Sequence, residues 1–387
     1  MNKIKKILMI CPFARPNLGG VESHLDKLLD YLGQKNVYVY LLTYQPLSLP
    51  IRGKKFETGK NFEIHRFNWF GTGWFNKLEK SFPLTFIYLF PGLFIKSLVF
   101  FIRRPNQINC IHAHGFAAAA MAKVISWFFP IRTVVSTHAI YQLETRPVLA
   151  KIIKWLLVSF DEILAVSEIS KNELVRIGLD IKKIKVHKNW VNLNVFTSQD
   201  RAVCKKQLKL PDKVILFVGR LIEKKGVGFL LSSAERFSDI CFVFVGDGPF
   251  RHIIIQKSDQ FKNILYAGKL MQEKADELDK LIKYYSAADL FATIPTYDEG
   301  FGAVYLETIA CGTPVLASEK GSLPTFLDKS VSTLIKPSQE AVDNAIKQLL
   351  GKDKSVLKEM QSNCRKFAEK NFSDKNAEVI YHSYGFK

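Results

Sequence analysis

Residues 296–318, TYDEGFGAVYLETIACGTPVLAS, decide the fold of the second half of the chain. Glu299 precedes a glycine-rich turn, and Glu307 follows eight residues later within an apolar helical pattern. The turn can offer backbone N–H groups to a phosphate. A carboxylate on the second turn of the helix can accept two hydrogen bonds from a ribose diol. Two glutamates alone could be surface charges, but this setting favours a strand–turn–helix–strand unit that binds a phosphorylated ligand.

Outward from this stretch, short apolar runs alternate with longer helical patterns along the whole chain. Examples are KILMI, VYVYLL and TVVSTH in the first half and VILFVGR and ICFVFVGDGP in the second. Strands that alternate with helices favour βαβ units and a parallel sheet. Because the alternation restarts after the loop 192–210, we expect two doubly wound, Rossmann-like α/β domains. These are an N-terminal domain over 1–204, a C-terminal domain over 205–370, and a helical tail over 371–387 that packs back on the N-terminal domain.

Two further motifs fall at the ends of predicted strands. Gly19 and Gly20 separate the first strand from an amphipathic helix, where adjacent glycines let the backbone approach an anion closely. A plain strand–helix turn would explain them equally well. Arg220 and Lys225 follow the strand VILFV, and two fixed cations at that point suit a diphosphate. Because open α/β sheets bind ligands at the carboxyl ends of their strands, we expect the two domains to face each other across a central cleft.

Length and composition exclude several classes of protein. The chain has 387 residues, of which 48 % are hydrophobic and 24 % are charged. These ordinary values exclude a disordered, a collagen-like and a disulfide-rich protein. No two of the six cysteines have a CxxC or other metal-ligand spacing, so we expect buried, reduced thiols. The N-terminal MNKIKKILMICPF has only a short apolar run before Pro12, which predicts a first strand rather than a signal peptide.

The excess of basic residues belongs to the first half of the chain. The formal net charge is +19, and residues 1–204 hold 28 basic and 13 acidic residues, whereas residues 205–387 hold 27 and 23. Such a charge attracts either nucleic acid or an anionic membrane. Since no nucleic-acid-binding motif is visible, we expect no nucleic acid as a partner. We expect a cytoplasmic protein that is peripheral at the inner face of the membrane.

Two segments of the first half bear on this membrane prediction. Segment 82–102 is long enough to cross a bilayer, but prolines, a glycine and Lys96 interrupt it, so we expect a buried or membrane-surface helix. The stretch 62–104 mixes aromatic with basic residues, and both types favour an anionic membrane interface. They are Phe67, Trp69, Phe70, Trp74, Phe75, Phe82, Phe86, Arg66, Lys77, Lys80, Arg103 and Arg104. The loop 67–80 is predicted to contact the membrane.

The Glu-x7-Glu block resembles the nucleotide-sugar signature of the retaining GT-B glycosyltransferases, specifically of glycosyltransferase family 4. The motifs GGVE, VGRLIEKKG, VGDGP, YAGKL and CGTPV occur in that family's order and spacing, so that the resemblance covers nearly the whole chain. One departure is HKNWVN at 187–192, where members usually carry a Pro-Asn-Gly-Val-Asp-like turn. The resemblance implies a GT-B fold in which the N-terminal domain binds the acceptor and the C-terminal domain binds the nucleotide-sugar.

The resemblance also implies catalytic roles for four residues. Arg220 and Lys225 would neutralise the donor diphosphate. Glu299 would touch the donor sugar. His138, at the end of the run TVVSTH, matches the family's active-site histidine beside that sugar.

Further groups would bind the donor without taking part in the chemistry. Phe301 and Gly302 would present backbone amides to phosphate, and Glu307 would hold the ribose. Gly19 and Gly20 would close over the diphosphate from the other domain.

No metal is expected at this site. Fixed cations and backbone dipoles can stabilise a leaving diphosphate without a divalent ion, and the chain has no Asp-x-Asp pair of the kind that holds one. His112 and His114 end another predicted strand. Without a third ligand at a suitable spacing, we expect them to line the cleft rather than to bind a metal.

The sequence and its resemblance together predict a retaining, metal-independent hexosyltransferase. Its donor would be a nucleotide-sugar, UDP- rather than GDP-linked, and its acceptor a lipid-linked glycan or polysaccharide precursor. Alternatives are a nucleotide-sugar epimerase on the same architecture and a transferase with a soluble acceptor. A third is a non-catalytic protein that binds a membrane or a partner, although such a protein should have lost the donor-binding residues that are present here.

Overall fold

The computed structural model describes residues 4–17, 19–47, 51–71, 73–78, 81–104, 107–272, 274–300 and 302–386, except for the side chains of Asn76 and Phe82. The chain forms two compact units. The first is Met1–Asn189 with Asp374–Lys387, and the second is Trp190–Ser373. Each unit is an α/β layer structure built on a sheet of mainly parallel strands. The two doubly wound domains predicted from the sequence are therefore confirmed.

The chain passes from the first unit to the second earlier than the sequence analysis placed the boundary, at 189/190 instead of 204/205. The reason is the packing of the irregular segment that follows residue 189. The Val191 N–H donates to the Phe372 carbonyl oxygen over 3.0 Å. Phe196 is buried in the core of the second unit, with its ring centroid 6.3 Å from that of Tyr285. Because this segment has neither strand nor helix periodicity, its sequence carries no signal for the unit to which it belongs.

The first unit contains a single eight-stranded sheet among the described residues. Its strands are β1 (Lys5–Ile10), β2 (Val37–Tyr44), β3 (Phe56–Thr58), β4 (Phe62–Phe67), β5 (Cys110–His114), β6 (Arg132–Ser136), β7 (Glu162–Ala165) and β8 (Ile184–Val186). The helices that the chain forms in this unit before it enters the second unit are α1 (Gly20–Gln34), α2 (Trp74–Leu78), α3 (Phe82–Ile102), α4 (Phe116–Phe128), α5 (Pro147–Leu157) and α6 (Glu168–Arg176). The strand order is β3-β4-β2-β1-β5-β6-β7-β8, and all pairs are parallel except β3 with β4.

Strand β1 lies in the middle of this sheet because it is apolar on both faces. Its Ile7 pairs with Val39 of β2 on one side and with Cys110 of β5 on the other, and Ile7–Ile10 are fully buried. A central parallel strand requires such a continuous apolar run, since helices cover both faces. Right-handed crossovers place α3, α4 and α5 on one face of the sheet and α1 on the opposite face.

Helix α3 contains Pro91, which interrupts its backbone hydrogen bonds. A side chain from β2 supplies hydrogen bonds next to this proline. The Tyr44 hydroxyl donates to the Leu89 carbonyl oxygen and accepts from the Leu93 N–H over 2.8 Å, so it bridges a pair that would bond directly in a regular helix. Pro83–Ile102 is the one helix in the described part of the chain that is long and apolar enough to cross a membrane. Of its most apolar part, 39 % is buried in the protein.

The second unit is built on a six-stranded, fully parallel sheet, counting the described residues. Its strands are β9 (Val214–Val218), β10 (Cys241–Val245), β11 (Ile264–Gly268), β12 (Leu290–Thr293), β13 (Val315–Ser318) and β14 (Ser332–Ile335). Its helices are α7 (Arg201–Leu208), α8 (Val227–Arg236), α9 (Arg251–Gln260), α10 (Ala275–Ala287), α11 (Ala303–Ala310), α12 (Leu323–Phe326), α13 (Gln339–Leu350) and α14 (Ser355–Asn371). The chain then returns to the first unit with α15 (Glu378–Ser383).

The strand order in the second sheet is β11-β10-β9-β12-β13-β14. Both of its faces are covered, because Val214 and Leu216 pack into one hydrophobic cluster while Ile215 and Phe217 pack into another. The six cysteines are buried and form no disulfide, as the sequence predicts.

Candidate active site

The predicted site residues of the second unit lie where the strand order of its sheet reverses. The chain leaves β9 towards β10 and later returns to β12 on the other side of β9. At such a switch point the loops after the two adjacent strands diverge and leave a crevice at the carboxyl edge of the sheet. Arg220 follows β9 and Glu299 follows β12. Residues that are far apart in sequence therefore come to the same edge.

Lys225 and Glu299 form an ion pair at this edge, and Tyr297 completes the group. The Tyr297 hydroxyl donates to Glu299 Oε2 over 2.9 Å, and the Lys225 Nζ also contacts Oε2. Lys225 Nζ lies 5.5 Å from the Tyr297 ring centroid. Burial, with the adjacent Glu299 carboxylate, holds the pKa of Tyr297 well above its usual range, so the phenol stays a hydrogen-bond donor. Tyr297 is a site residue that the sequence analysis missed.

Arg220 stands at the same edge with its side chain exposed to solvent. Its position is fixed through the backbone on both sides. The Gly219 N–H donates to the Val245 carbonyl oxygen over 3.0 Å, and the Leu221 N–H donates to the Asp247 carbonyl oxygen over 2.9 Å. The Arg220 charge also opposes the rise in the pKa of Tyr297, because a positive charge favours the phenolate.

Backbone hydrogen bonds hold the two loops that carry Lys225 and Glu299 together. The Ile294 N–H donates to the Lys225 carbonyl oxygen over 3.2 Å. Gly226, at φ +80°, makes this approach possible, because a Cβ there would overlap the Ile294 carbonyl oxygen. On the other side, Ser322 donates to the Glu299 carbonyl oxygen from its N–H over 2.9 Å and from its hydroxyl over 3.0 Å. The ion pair is thus built on fixed backbone.

Glu307 lies on α11 and is almost wholly buried, with 1 % of its surface exposed. Its Oε2 accepts from the Tyr285 hydroxyl over 2.9 Å, and its Oε1 accepts from Gln272 Nε2 over 3.2 Å. Burial and the Glu307 carboxylate hold the pKa of Tyr285 well above its usual range. Each carboxylate oxygen keeps a second lone pair for a further donor.

The start of α11 carries the predicted phosphate-binding amides. Gly302 precedes the helix, which begins at Ala303, and the first N–H groups of a helix have no partner within it. This end of a helix favours an anion. Phe301, predicted to contribute a second amide, lies outside the described residues.

Gly19 and Gly20 join β1 to α1 in the first unit, where the strand order also reverses between β1 and β5. A Cβ on Gly19 would be 2.5 Å from Glu22 Oε2, whereas a Cβ on Gly20 would meet nothing within 4 Å. Glu22 itself is 7 % exposed. A side chain at position 19 would therefore displace the end of the Glu22 side chain, whereas position 20 is open among the described residues.

His138 follows β6 and is held by a second histidine. Its Nε2 forms a hydrogen bond of 2.9 Å with Nδ1 of His114, at the end of β5. The neighbouring His112 bridges Ser136 and Tyr384, with 2.8 Å from Nε2 to the Ser136 hydroxyl and 2.9 Å from Nδ1 to the Tyr384 hydroxyl. His112 and His114 are both almost wholly buried.

Two more histidines, His24 and His187, complete what we term the histidine cluster: His24, His112, His114, His138 and His187. The ring centroid of His24 lies 5.6 Å from that of His138 and 5.2 Å from that of His187. Burial lowers the pKa of His138 to about 4 and that of His187 to about 3, so both rings are neutral near pH 7. In the described part of the chain, no group of three or more His, Cys, Asp or Glu is arranged to hold a metal ion.

Two family models match the chain one after the other. The Glycosyltransferase Family 4 model matches residues 18–195, and the model for Glycosyl transferases group 1 matches residues 199–371. A D-inositol 3-phosphate glycosyltransferase from Mycobacteroides abscessus is 27 % identical over 64 % of this chain and 60 % of its own length. For the Mycolicibacterium smegmatis protein of the same name, the match spans 47 % of its length. The phosphatidylinositol N-acetylglucosaminyltransferase GPI3 subunit from Saccharomyces cerevisiae is 26 % identical over 87 % of this chain and 75 % of its own length.

Solved structures share the fold over nearly the whole chain. Sucrose-phosphate synthase from Thermosynechococcus elongatus superimposes with a TM-score of 0.77 at 20 % identity, covering 98 % of both chains. HepE from Anabaena in complex with UDP gives a TM-score of 0.74 at 19 % identity, covering 98 % of this chain and 99 % of its own.

Proposed function

Because the chain belongs to glycosyltransferase family 4 and has the GT-B fold, we propose that it transfers a hexosyl group from a nucleotide-sugar to an acceptor. The transfer retains the configuration at the anomeric carbon and needs no metal. The observation that carries this proposal is the Lys225–Glu299 ion pair beside Arg220 at the switch point of the second sheet. It combines two fixed cations for a diphosphate with a carboxylate for a sugar.

In the proposed reaction the bond between the anomeric carbon and the diphosphate oxygen breaks while the acceptor oxygen bonds to that carbon on the same face. The acceptor's proton passes to the departing diphosphate. Negative charge builds on the diphosphate as the bond breaks, and Lys225 and Arg220 stabilise it in the transition state. The backbone bonds at Gly219, Leu221 and Ile294 hold the loops that carry both residues, so that these loops need little reorganisation when the charge appears.

Glu299 and Glu307 divide the recognition of the donor. Glu299, held by Tyr297, accepts hydrogen bonds from sugar hydroxyls, and its negative charge favours the oxocarbenium-like character of the sugar in the transition state. Glu307 holds the ribose diol. Its hydrogen bond from Gln272, at 3.2 Å, is the longer of its two side-chain contacts and is the one a ribose hydroxyl would replace.

We propose a UDP-linked rather than a GDP-linked donor. Structural neighbours support this choice, since HepE structures contain UDP or UDP-glucose. A lipid-linked glycan or polysaccharide precursor is the proposed acceptor, and the name of the yeast relative, which includes phosphatidylinositol, supports a lipid. The basic first half of the chain supports a cytoplasmic position, peripheral at an anionic membrane surface.

A screen of UDP-, GDP- and ADP-sugars by thermal shift tests the donor. A ligand that binds only the folded state stabilises it by about 2.7 kcal/mol at 100 times its Kd, so the cognate donor raises the unfolding temperature most. Analysis of the products then tests the reaction. Free nucleotide with a sugar of retained configuration supports the transferase. An epimerised nucleotide-sugar formed without acceptor supports the alternative epimerase, and no shift with any nucleotide-sugar contradicts the proposal.

A further inference from the structure

Helix α3 exposes a row of apolar side chains to solvent along its whole length. Its inner side packs into the core of the first unit through residues such as Leu93 and Phe101. The large apolar side chains of the outer row are between 43 % and 66 % exposed, although water is an unfavourable surrounding for them. They are Leu84, Ile87, Ile95, Val99 and Ile102. The spacing of these positions matches one face of a helix.

Helix α5 and the end of α4 extend this apolar surface. Helix α4 packs against α3 on one side and α5 on the other, on the same face of the sheet. The exposed residues are Trp127 and Phe128 on α4 and Val148, Ile152 and Trp155 on α5. Lys123, itself buried, donates to the Trp155 carbonyl oxygen and lies 4.3 Å from the Trp155 ring centroid. This contact holds the indole in place at the surface. Exposed apolar patches of this extent mark interaction sites.

The charge on this surface has one sign. Helices α3, α4 and α5 contain no aspartate or glutamate. Four cations are exposed on or beside α3 and α5, namely Lys96, Arg103, Lys151 and Lys154. A lipid bilayer with anionic headgroups complements both the exposed apolar side chains and the positive charge of this surface. Apolar side chains enter the acyl boundary, while lysine stems extend so that their charges stay among the phosphates.

Several aromatic side chains of the loop 67–80, which the sequence analysis assigned to the membrane, are half-buried against the core. Trp69 donates from Nε1 to the Tyr88 carbonyl oxygen over 2.8 Å, and Phe67 and Phe75 pack against the same hydrophobic cluster. Only Phe70 and Trp74 are exposed among its described aromatic side chains. The hydrogen bond of Trp69 and its packing hold the half-buried indole against the protein, so that the exposed Phe70 and Trp74 are the aromatic side chains of this loop that lipid can reach most easily.

We propose that the outer faces of α3 and α5, with the end of α4, form the surface through which the protein docks on an anionic lipid bilayer. This inference rests on the proposed transfer to a lipid-linked acceptor, for which it names the docking surface. Helix α3 lies along the bilayer surface, because its inner side and the Tyr44 bridge tie it to the sheet.

Co-sedimentation of the full chain with vesicles tests the surface. One set contains phosphatidylglycerol with phosphatidylcholine, and the other contains phosphatidylcholine alone. The apolar variant is Ile87→Gln/Ile152→Gln/Trp155→Gln, and the matched control is Phe70→Gln/Trp74→Gln in the loop. We expect the wild-type chain to bind the anionic vesicles in a salt-sensitive way. The apolar variant should bind at least about tenfold more weakly, and the control should bind as the wild type does.

A second variant, Lys96→Glu/Lys151→Glu, keeps the test decisive if the apolar variant fails to fold. Both side chains are exposed, so the fold is retained, and binding to anionic vesicles should fall by about tenfold or more. Three results would overturn the proposal. These are wild-type protein left in the supernatant at low salt, full binding by both surface variants, and a wild-type dimer that the apolar variant dissociates, which would place a second copy on this face. Donor hydrolysis, measured on the same samples, reports on the proposed function separately.

Discussion

The histidine cluster makes the stability of the first unit depend on pH. His187 shows the effect most clearly, because neither of its ring nitrogens has a hydrogen-bond partner among the described residues and its side chain is fully buried. Nothing there compensates for a positive charge. We consider two perturbations, acidification from pH 7.5 to pH 5.0 and the substitution His187→Leu, which removes the titrating group and keeps an apolar side chain in its place.

The size of the effect follows from the folded-state pKa values, about 3 for His187 and about 4 for His138. In the unfolded chain an imidazole has a pKa of about 6.5. The contribution to stability is therefore fully present above pH 6.5, where both states are neutral. As the pH falls below 6.5 the imidazoles bind protons in the unfolded state but stay neutral in the folded state. Stability is lost at about 1.4 kcal/mol per pH unit for each histidine until its folded pKa is reached. At pH 5.0 each histidine has cost about 2 kcal/mol, and the two together about 4 kcal/mol.

Denaturant unfolding at pH 5.0 and pH 7.5 measures this loss. We compare the wild-type chain, His187→Leu and a control, His252→Leu, at an exposed position on α9. Relative to the wild type, His187→Leu should gain about 2 kcal/mol of unfolding free energy on going from pH 7.5 to pH 5.0. The control should show no pH-dependent difference. If the difference between His187→Leu and wild type is the same at both pH values, the folded protein accommodates the imidazolium and the reasoning fails.

The remaining predictions concern the proposed chemistry. Donor cleavage should survive EDTA because Arg220 and Lys225 supply the positive charge, and an absolute requirement for Mg²⁺ or Mn²⁺ would refute this. Arg220→Ala should lower kcat by roughly 10²–10³-fold, about 2.7–4 kcal/mol of barrier, with the fold intact, whereas near-normal turnover would show that the diphosphate is held elsewhere. Lys225→Ala should lower kcat to a similar extent. It should also lower the unfolding free energy by about 3 kcal/mol, since it leaves the buried Glu299 carboxylate without its cation. An unchanged unfolding free energy would contradict the pairing of Lys225 with Glu299. Glu307→Ala should chiefly raise KM and Glu299→Ala chiefly lower kcat, and the reverse pattern would exchange their roles.

The fold could be predicted because it depends on patterns that are local in sequence. Buried parallel strands such as Ile7–Ile10 read as apolar runs, and the helices between them read as amphipathic stretches. The boundary could not be placed, because the segment 190–204 is assigned to its unit by tertiary contacts, such as those of Val191 with Phe372 and of Phe196 with Tyr285. Composition likewise could not separate Trp69, which is tied to Tyr88, from Trp74, which is exposed.

The site could be predicted in part for the same reason. Arg220, Lys225, Glu299 and Glu307 stand in short motifs at strand ends, and the topology of a parallel sheet brings such ends to one edge. The histidine cluster had no such signal. Its members come from α1, from the ends of β5 and β6 and from the residue after β8, and only their packing brings the rings together. A histidine at each of several strand ends is the one sequence feature that could have indicated it.

The ion pair of Lys225 with Glu299 joins two sequence motifs, one after β9 and one after β12, and neither motif alone indicates this contact. The Lys225 ammonium group lies in a partly desolvated position, with 16 % of the side chain exposed, and would be costly there without a counter-charge. Glu299 supplies that charge, and Tyr297 occupies a further lone pair of the same oxygen. On the proposed function, a donor diphosphate that attracts Lys225 competes with Glu299 for the ammonium group. It thereby frees the carboxylate for the sugar that enters with the diphosphate. Diphosphate binding and sugar recognition are then two consequences of one exchange of partners, and a sugar without its nucleotide gains little from this site.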